Sequence, residues 1–175
     1  MVLQRLSKIM AQRGLCSRRE ADEWIKAGLV MVNGNLADLK HSMFHPDVEI
    51  TVAHRIQQQQ KNYLNILLHK PVGIVSSQPV EGETPAIHLL TKENFWDPSV
   101  DIPCVPRYQP KLAVAGRLDK DSRGLLLFTQ DGRIAKQVIG ENSKLTKRYI
   151  VTVREPVTRS HIQALRSRKI MDGTY

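Results

Sequence analysis

Residues 114–132 read VAGRLDKDSRGLLLFTQDG. Within them, the run LLLFT at positions 125–129 is almost wholly apolar, which predicts a β-strand buried on both faces. Asp131 and Gly132 predict a turn after this strand. The next apolar residues have the spacing of one face of a short helix: Ile134, Ala135, Val138 and Ile139. Positions 116–122 therefore form a loop that leads directly into a buried strand.

Asp119 is the carboxylate in this loop that stands between two cations, Arg117 and Lys120. Neighbouring positive charges favour its ionised form. An ionised carboxylate here can act as a nucleophile, a base, a metal ligand or a salt-bridge partner, and the residues alone leave all four open. Asp119 and Asp121 also form a D-x-D pair, which could hold magnesium in a phosphotransferase. No phosphate-binding glycine loop precedes the pair, which argues against that function. Asp121 is therefore predicted to be a capping or turn residue beside Ser122.

The composition excludes several classes of protein. The chain has 175 residues, 41% of them hydrophobic, and it carries a formal net charge of +9. No apolar run approaches the roughly 20 residues of a membrane span, and the first residues lack the apolar core of a signal peptide. Cys16 and Cys104 lie far apart without metal-ligand spacing. These features argue against secreted, transmembrane and disordered classes and favour a reducing, cytoplasmic compartment.

Basic residues are concentrated in two stretches. Residues 1–19 hold five Lys or Arg and no acid, and residues 144–170 hold eight Lys or Arg against a single glutamate. Such one-sided clusters suit a polyanion, because each phosphate contact releases condensed counterions. A solvated surface that keeps the protein soluble is the alternative. Charge alone favours nucleic acid only slightly.

The first fifty residues predict a small unit of two helices and a hairpin. Gly14 marks the end of a first helix, and a capping box of Ser17 and Glu20 opens a second one that buries Ala21, Trp24 and Ile25. Strands are predicted at 29–32 and 47–52, and Asn33-Gly34 is a strong hairpin signal. A polar run without periodicity follows, and it predicts a linker at residues 53–62.

The stretch RLSKIMAQRGLCSRREADEWIKAGLVMVNG, residues 5–34, resembles the α-L RNA-binding module first known from a small-subunit ribosomal protein. In that family the two helices present basic residues to structured RNA. The resemblance therefore implies an α-L domain at residues 1–52 that binds RNA through Arg5, Lys8, Arg18 and Arg19. The alternative for Arg18 and Arg19 is a solvated first helical turn, although cations are slightly disfavoured there.

The second part of the chain is predicted to contain short strands and one long loop. Strands are predicted at 63–68 and 74–77, separated by a turn at 70–73, and a further strand is predicted at 149–153. Four prolines between positions 91 and 111 predict a long loop.

The stretch GRLDKDSRGLLLFTQDG resembles the central motif of ribosomal pseudouridine synthases that also carry an N-terminal α-L module. The match extends upstream to residues 70–73 and downstream to residues 147–151. The resemblance implies an α+β protein, with a mixed, mostly antiparallel synthase sheet at residues 63–175. It implies that Asp119 is the catalytic nucleophile, that Tyr149 stacks on the target base and moves a proton, and that Arg117 fills the gap left by a flipped nucleotide. Lys147 is counted among the RNA-binding residues.

The resemblance also implies the partners. The substrate would be ribosomal RNA, with the large subunit favoured, or a ribosome assembly intermediate, and some family members also modify transfer RNA. Isomerisation needs no redox partner, so no cofactor and no metal are expected, and the histidines show no convincing ligand spacing. A monomer without membrane contact is expected.

One departure from the family pattern keeps two hypotheses open. Family members continue past the Lys-x-Tyr segment into a third motif, which nothing before Tyr175 matches. The catalytic domain is therefore expected to be incomplete at its C-terminus. The first hypothesis is an RNA uridine isomerase. The second is an RNA-binding protein whose catalytic domain is truncated and inactive.

Overall fold

The computed structural model describes residues 2–97, 99 and 110–167. The helices are α1 (Leu6–Gln12), α2 (Arg18–Lys26), α3 (His54–Lys61), a 3₁₀ helix (Ala86–Leu89), α4 (Gly132–Ile139) and α5 (Arg159–Ser167). The strands are β1 (Gln4–Arg5), β2 (Val30–Val32), β3 (Asn35–Leu36), β4 (Met43–Phe44), β5 (Ile50–Val52), β6 (Asn65–Lys70), β7 (Ala113–Ala115) and β8 (Gly124–Thr129). This is the expected α+β composition. The chain forms two compact units, which meet in sequence between Leu145 and Thr146.

The predicted helix pair at the N-terminus is confirmed. The capping box is present, since the Ser17 Oγ accepts from the Glu20 N–H and a Glu20 oxygen accepts from the Ser17 N–H. Gly14 ends the first helix with φ of +73°, a left-handed conformation that a glycine adopts without strain. The buried face of α2 holds the predicted Ala21, Trp24 and Ile25.

A three-stranded antiparallel sheet completes this region, in the order β3-β2-β5. Asn33 and Gly34 both have positive φ, 48° and 80°, as a two-residue hairpin of type I′ requires. The predicted hairpin is therefore confirmed. The pairing of β1 with β4 was not predicted, because strands of two residues leave no periodic signal.

The segment predicted as an irregular linker is a helix, α3. Its one buried apolar side chain, Ile56, joins the core formed by α1, α2 and β2. The prediction failed because a single apolar residue in a glutamine-rich run gives no periodicity, although glutamine is itself a good helix former. The domain boundary placed at residues 53–62 stays a prediction. We call residues 2–61 the N-terminal module.

The second sheet has the order β6-β8-β7 and is antiparallel throughout. The apolar strand β8 lies between its two neighbours, as a central strand must, and Phe128 is paired with Ile66 on one side and Val114 on the other. A second core forms against one face of this sheet and contains Ala86, Leu90, Leu112, Leu126 and Phe128. We call residues 62–97, 99 and 110–145 the sheet half.

The prediction that residues 125–129 are buried on both faces was wrong. Leu126 and Phe128 are buried, but Leu125 is 70% exposed, and Leu67 on the neighbouring strand is 66% exposed. Alternate residues of a strand point to opposite faces. The core of the sheet half covers only the face that holds Leu126 and Phe128, so the opposite face of β8 keeps exposed leucine.

Two other predicted strands are absent. Residues 74–77 form only an isolated β-bridge, between Val75 and Pro85, and they belong to none of the described sheets. Residues 149–153 take part in no ladder among the described residues, and Ile150 is 96% exposed. A strand requires a hydrogen-bonding neighbour, which an apolar sequence alone does not supply. The predicted loop at 91–111 is described only at 91–97, 99 and 110–111, where it has neither helix nor strand.

In the part of the chain that the structure describes, every helix is too short or too polar to cross a lipid bilayer.

Candidate active site

Asp119 lies in the loop that connects β7 to β8. Glycines with positive φ stand at both ends of the loop, Gly116 at 98° and Gly124 at 144°. The Ser122 N–H donates to the Asp119 carbonyl at 3.1 Å, which closes a turn, as predicted for Asp121 and Ser122. The Asp119 side chain is exposed at the tip of this loop.

Ser76 fixes the residue that precedes Asp119. Its buried hydroxyl accepts from the Leu118 N–H at 2.8 Å and donates to the Leu118 carbonyl at 2.6 Å. Both backbone polar groups of one residue are thus held by a single side chain from 42 residues away. The sequence analysis assigned Ser76 only to a predicted strand, and it missed this positioning role.

Lys70 fixes the residue that follows Asp119. Its buried ammonium donates to the carbonyls of Pro71 at 2.9 Å, Ile74 at 2.7 Å and Lys120 at 3.3 Å. The Gly73 N–H donates to the same Lys120 carbonyl at 2.8 Å. Burial lowers the pKa of Lys70, while the charges of Asp121 and Asp119 oppose that shift. Sequence analysis assigned Lys70 no role, although its place on the buried face of β6, in step with Ile66 and Leu68, was a usable signal.

Lys120, one of the two cations that flank Asp119, is paired with another carboxylate. Lys120 forms an ion pair with Glu83 at 3.0 Å, and its hydrogen bond lowers the pKa of that carboxyl. Among the described residues, no side chain forms an ion pair or a hydrogen bond with the Asp119 carboxylate. The salt-bridge interpretation of Asp119 therefore has no support in the described structure.

Asp119 lies beside a polar cavity of about 540 Å³, within the size range of small-molecule sites, about 300–1,000 Å³. Its lining consists of Val75, Ser76, Ser77, Arg117, Leu118, Asp119 and Lys120. The predicted pair Arg117 and Asp119 is thus brought to one cavity. A carboxylate and a guanidinium at the mouth of a polar pocket suit a substrate that carries both a reactive carbon and phosphates.

The predicted RNA-binding residues of the N-terminal module have different environments. Arg18 and Arg19 are exposed on the first turn of α2, and Arg5 is exposed just before α1. Lys8 lies within α1 and is half-buried. The exposed arginines are available for phosphate contacts.

Tyr149 and Lys147 belong to the second unit, in a segment without helix or strand that precedes α5. Tyr149 is 65% exposed there. Their predicted roles in base stacking and RNA binding stay predictions.

Within the described ranges, no group of three His, Cys, Asp or Glu side chains is placed to hold a metal ion. Cys16 is buried in the core of the N-terminal module, as expected for a packing residue, and burial raises the pKa of its thiol to about 12.

Comparisons with known proteins give the family. The uncharacterized RNA pseudouridine synthase YtzG of Bacillus subtilis (strain 168) is 29% identical over 98% of this chain and 66% of its own. The dual-specificity RNA pseudouridine synthase RluF of Salmonella typhi is 32% identical over 92% of this chain and 50% of its own. The putative ribosomal large subunit pseudouridine synthase SVR1, chloroplastic, of Arabidopsis thaliana is 32% identical over 98% of this chain and 42% of its own.

These shares mean that the chain spans about half the length of the curated relatives it matches. The S4 domain model matches residues 4–50, which confirms the expected RNA-binding module. The model of RNA pseudouridylate synthases matches residues 63–172, well over half of the chain, and includes the Asp119 loop. The chain belongs to the RNA pseudouridylate synthase family.

Proposed function

We propose that this protein isomerises a uridine of ribosomal RNA to pseudouridine, with Asp119 as the nucleophile. The observation that supports the proposal is the Asp119 loop. Its carboxylate has no partner among the described residues and lies at a polar cavity with Arg117, while Ser76 and Lys70 hold the residues on either side. A reactive group whose two neighbouring residues are fixed by hydrogen bonds is pre-oriented, and such pre-orientation can contribute several kcal/mol to catalysis.

The reaction needs few groups because it is an internal rearrangement. The bond from the sugar C1′ to the uracil N1 breaks, the base rotates, and C1′ joins the ring carbon C5. One proton leaves C5 and one proton is added to N1, so atoms and electrons balance without a redox partner. The Asp119 carboxylate would bond either to C1′ or to the ring while the base turns, and it is released when the carbon–carbon bond is complete.

The target base must leave its stack before Asp119 can reach it. Extruding a base costs a few kcal/mol. Arg117 beside Asp119 would fill the vacated place in the RNA, and Tyr149 would stack on the extruded base, which offsets part of that cost. Lys147 would contact the adjacent backbone.

The substrate is proposed to be large-subunit ribosomal RNA, free or within an assembly intermediate, and the protein is proposed to act as a cytoplasmic monomer. One relative is named for the ribosomal large subunit, and another is named as a dual-specificity enzyme. Transfer RNA is therefore the second substrate to test.

The experiment compares Asp119→Asn with Asp121→Asn, in which a neighbouring carboxylate of the same loop is neutralised. Each variant and the wild-type chain are expressed in a strain that lacks its own copy, and pseudouridine is mapped in ribosomal and transfer RNA. Asp119→Asn should lower the rate about 10³-fold or more, while RNA affinity and the activity of Asp121→Asn stay near wild type.

Appreciable pseudouridine formation by Asp119→Asn would refute the assignment of the nucleophile. If the wild-type chain binds RNA tightly but forms no pseudouridine, the chain acts as an RNA-binding module with an inactive synthase domain.

A further inference from the structure

The N-terminal module and the sheet half do not share an apolar core. The buried cluster of the module consists of nine residues between Leu6 and Ala37 together with Ile56, and the cluster of the sheet half lies against β8. A cavity of about 950 Å³ lies between them and is lined by Ala11 and Gly14 from the module and by Ile134 and Gln137 from α4. Continuous apolar packing is therefore not what holds the two halves together.

A partly buried hydrogen bond connects α2 to the start of the sheet half. One oxygen of Glu20 accepts from the Ser17 N–H in the capping box, and the other accepts from the Tyr63 hydroxyl at 3.0 Å. Glu20 is 6% exposed. Burial and the Glu20 charge hold the pKa of Tyr63 above its usual range, so the hydroxyl remains a donor. Glu20, in the first turn of α2, thus also binds Tyr63, which lies two residues after the end of α3.

A second connection passes through Arg133 at the start of α4. Its guanidinium binds both oxygens of Asp131, with donor distances of 2.9 and 2.6 Å, and also donates to the Gln60 side-chain oxygen at 3.3 Å. The amide of Gln60 in turn donates to the Leu15 carbonyl at 2.9 Å. Each of these hydrogen bonds pairs a donor with an acceptor and depends on the direction between them.

Gly132 lies close against Ser17, the residue that caps α2. A Cβ atom added at Gly132 would lie 2.4 Å from the Ser17 Cβ, and the φ of Gly132 is outside the left-handed region. The backbone conformation therefore does not require glycine here, whereas the contact with α2 does. At the periphery, the Lys136 ammonium donates to the Ala11 carbonyl at 2.9 Å, and Lys111 forms an ion pair with Glu23.

A polar boundary between two cores would ordinarily permit relative motion. Here the hydrogen bonds are directional, two of the carboxylates are buried, and there is no room for a side chain between Gly132 and Ser17. We propose that Gly132, Gln60 and Tyr63 are positioning residues that hold the RNA-binding module in one orientation on the synthase sheet. This inference rests on the proposed function, because the fixed orientation sets the span between the exposed arginines of α2 and Asp119.

The consequence is selection of RNA by distance. A rigid pair of sites binds tightly only to an RNA whose phosphates and target uridine are spaced to match, since a mismatched span loses the gain from simultaneous contact. A module on a flexible tether would accept a broad range of spans.

The first test measures orientation without RNA. Spin labels are placed on Lys26→Cys in α2 and Leu125→Cys in β8, both exposed positions, in a Cys104→Ser background. The native Cys16 is buried with a raised pKa, so it does not take up label readily. Pulsed electron paramagnetic resonance should give one narrow distribution of distances between the two labels when the interface is wild type. The distribution should broaden or shift in Gln60→Ala and Gly132→Ala, but not in Gln58→Ala.

Gln58→Ala is the matched control, because Gln58 is an exposed glutamine of the same helix. If Gly132→Ala fails to fold, Gln60→Ala carries the test, since that substitution deletes side-chain atoms and introduces no clash. Equal, narrow distributions in Gln60→Ala and the wild-type protein would overturn the proposed positioning.

The second test measures span selection. Full-length protein is titrated with hairpin RNAs in which the stem between a structured element and a looped uridine is lengthened one base pair at a time. Wild type and Gln58→Ala should bind one stem length about tenfold more tightly than its neighbours, whereas Gln60→Ala should bind all lengths similarly.

A flat profile for the wild-type protein, with tight binding throughout, would overturn span selection while the proposed function stands. Failure to bind any hairpin would overturn both proposals, and the label distances would still report whether the module is held in one orientation.

Discussion

Ser76 shows how a single side chain determines the geometry of a reactive loop. Replacing it by alanine leaves the Leu118 N–H and carbonyl without their shared partner. Leaving buried polar groups unpaired costs about 1–3 kcal/mol, so Ser76→Ala should lower the free energy of unfolding by that amount. Urea unfolding measures the loss. Ser77→Ala is the control and should change stability by less than about 0.5 kcal/mol. Equal effects of the two substitutions would mean that Ser76 does not hold the loop.

Asp131 gives the protein a predictable response to acid. Burial raises the pKa of its carboxyl, but the side-chain and backbone hydrogen bonds from Arg133 outweigh burial and hold the pKa below the usual range. A depressed folded-state pKa contributes stability that is present above the unfolded value, about 3.9, and is lost as the pH falls through the folded-state value. Thermal unfolding from pH 6 to pH 2 should therefore show a fall in stability below about pH 4, and that fall should be shallower in Asp131→Asn.

The control for this acid response is Asp38→Asn. The pKa of Asp38 is also lowered, by hydrogen bonds from His41, but Asp38 lies on the open surface. Water screens such exposed interactions, so Asp38→Asn should change the pH dependence less than Asp131→Asn. A larger change in Asp38→Asn would contradict the importance given to the Asp131–Arg133 pair.

At the scale of single residues, the sequence indicated which residues form the candidate site, but not which residues contact one another. Asp119 and Arg117 stand two positions apart in the motif, so their placement at one site could be predicted. The contacts of Ser76 with Leu118 and of Lys70 with Lys120 could not, because they span 42 and 50 residues and depend on how the loops fold together. Glu83 was missed for the same reason, since its partner Lys120 is 37 residues distant.

At the scale of elements, β8 offers a direct comparison of its two faces. Leu126 is 3% exposed and belongs to the core of the sheet half, whereas its neighbour Leu125 is 70% exposed. Leu126→Ala should therefore lower the free energy of unfolding by about 2–5 kcal/mol, and Leu125→Ala by less than about 1 kcal/mol. The two substitutions remove the same atoms from adjacent positions of one strand. Similar losses in urea unfolding would show that both faces of β8 are covered in solution.

Elements defined by local chemistry were predicted well. The capping box and the Asn33-Gly34 turn depend on residues within three positions of one another, so both can be recognised from the sequence alone. Helix α3 and the segment 149–153 were not predicted correctly, because the first is stabilised by one buried side chain and the second would need a neighbouring strand. Secondary structure that depends on a partner distant in sequence cannot be predicted from a short stretch of residues.

At the scale of the molecule, the two halves divide the proposed work. The N-terminal module presents exposed basic residues, and the sheet half presents a carboxylate beside a polar cavity. Polar contacts through Glu20, Gln60 and Arg133 join them. The residues proposed for RNA binding by the module and the residue proposed for chemistry are therefore different, so the two proposals can be tested by separate substitutions.

The last prediction uses this separation to test the RNA-binding role of the module. If its basic residues contact four phosphates, log affinity for structured RNA should fall against log salt with a slope of about −3 to −4. A variant with alanine at Arg5, Lys8, Arg18 and Arg19 should show a flatter slope and weaker binding to unrelated structured RNAs. The control removes the same number of charges elsewhere in the module, with alanine at the exposed Lys26, Lys40, Arg55 and Lys61. Fluorescence anisotropy at several salt concentrations gives both slopes. Equal flattening in the two variants would mean that net charge, rather than placed phosphate contacts, governs RNA binding, because only a specific contact depends on which cation is removed.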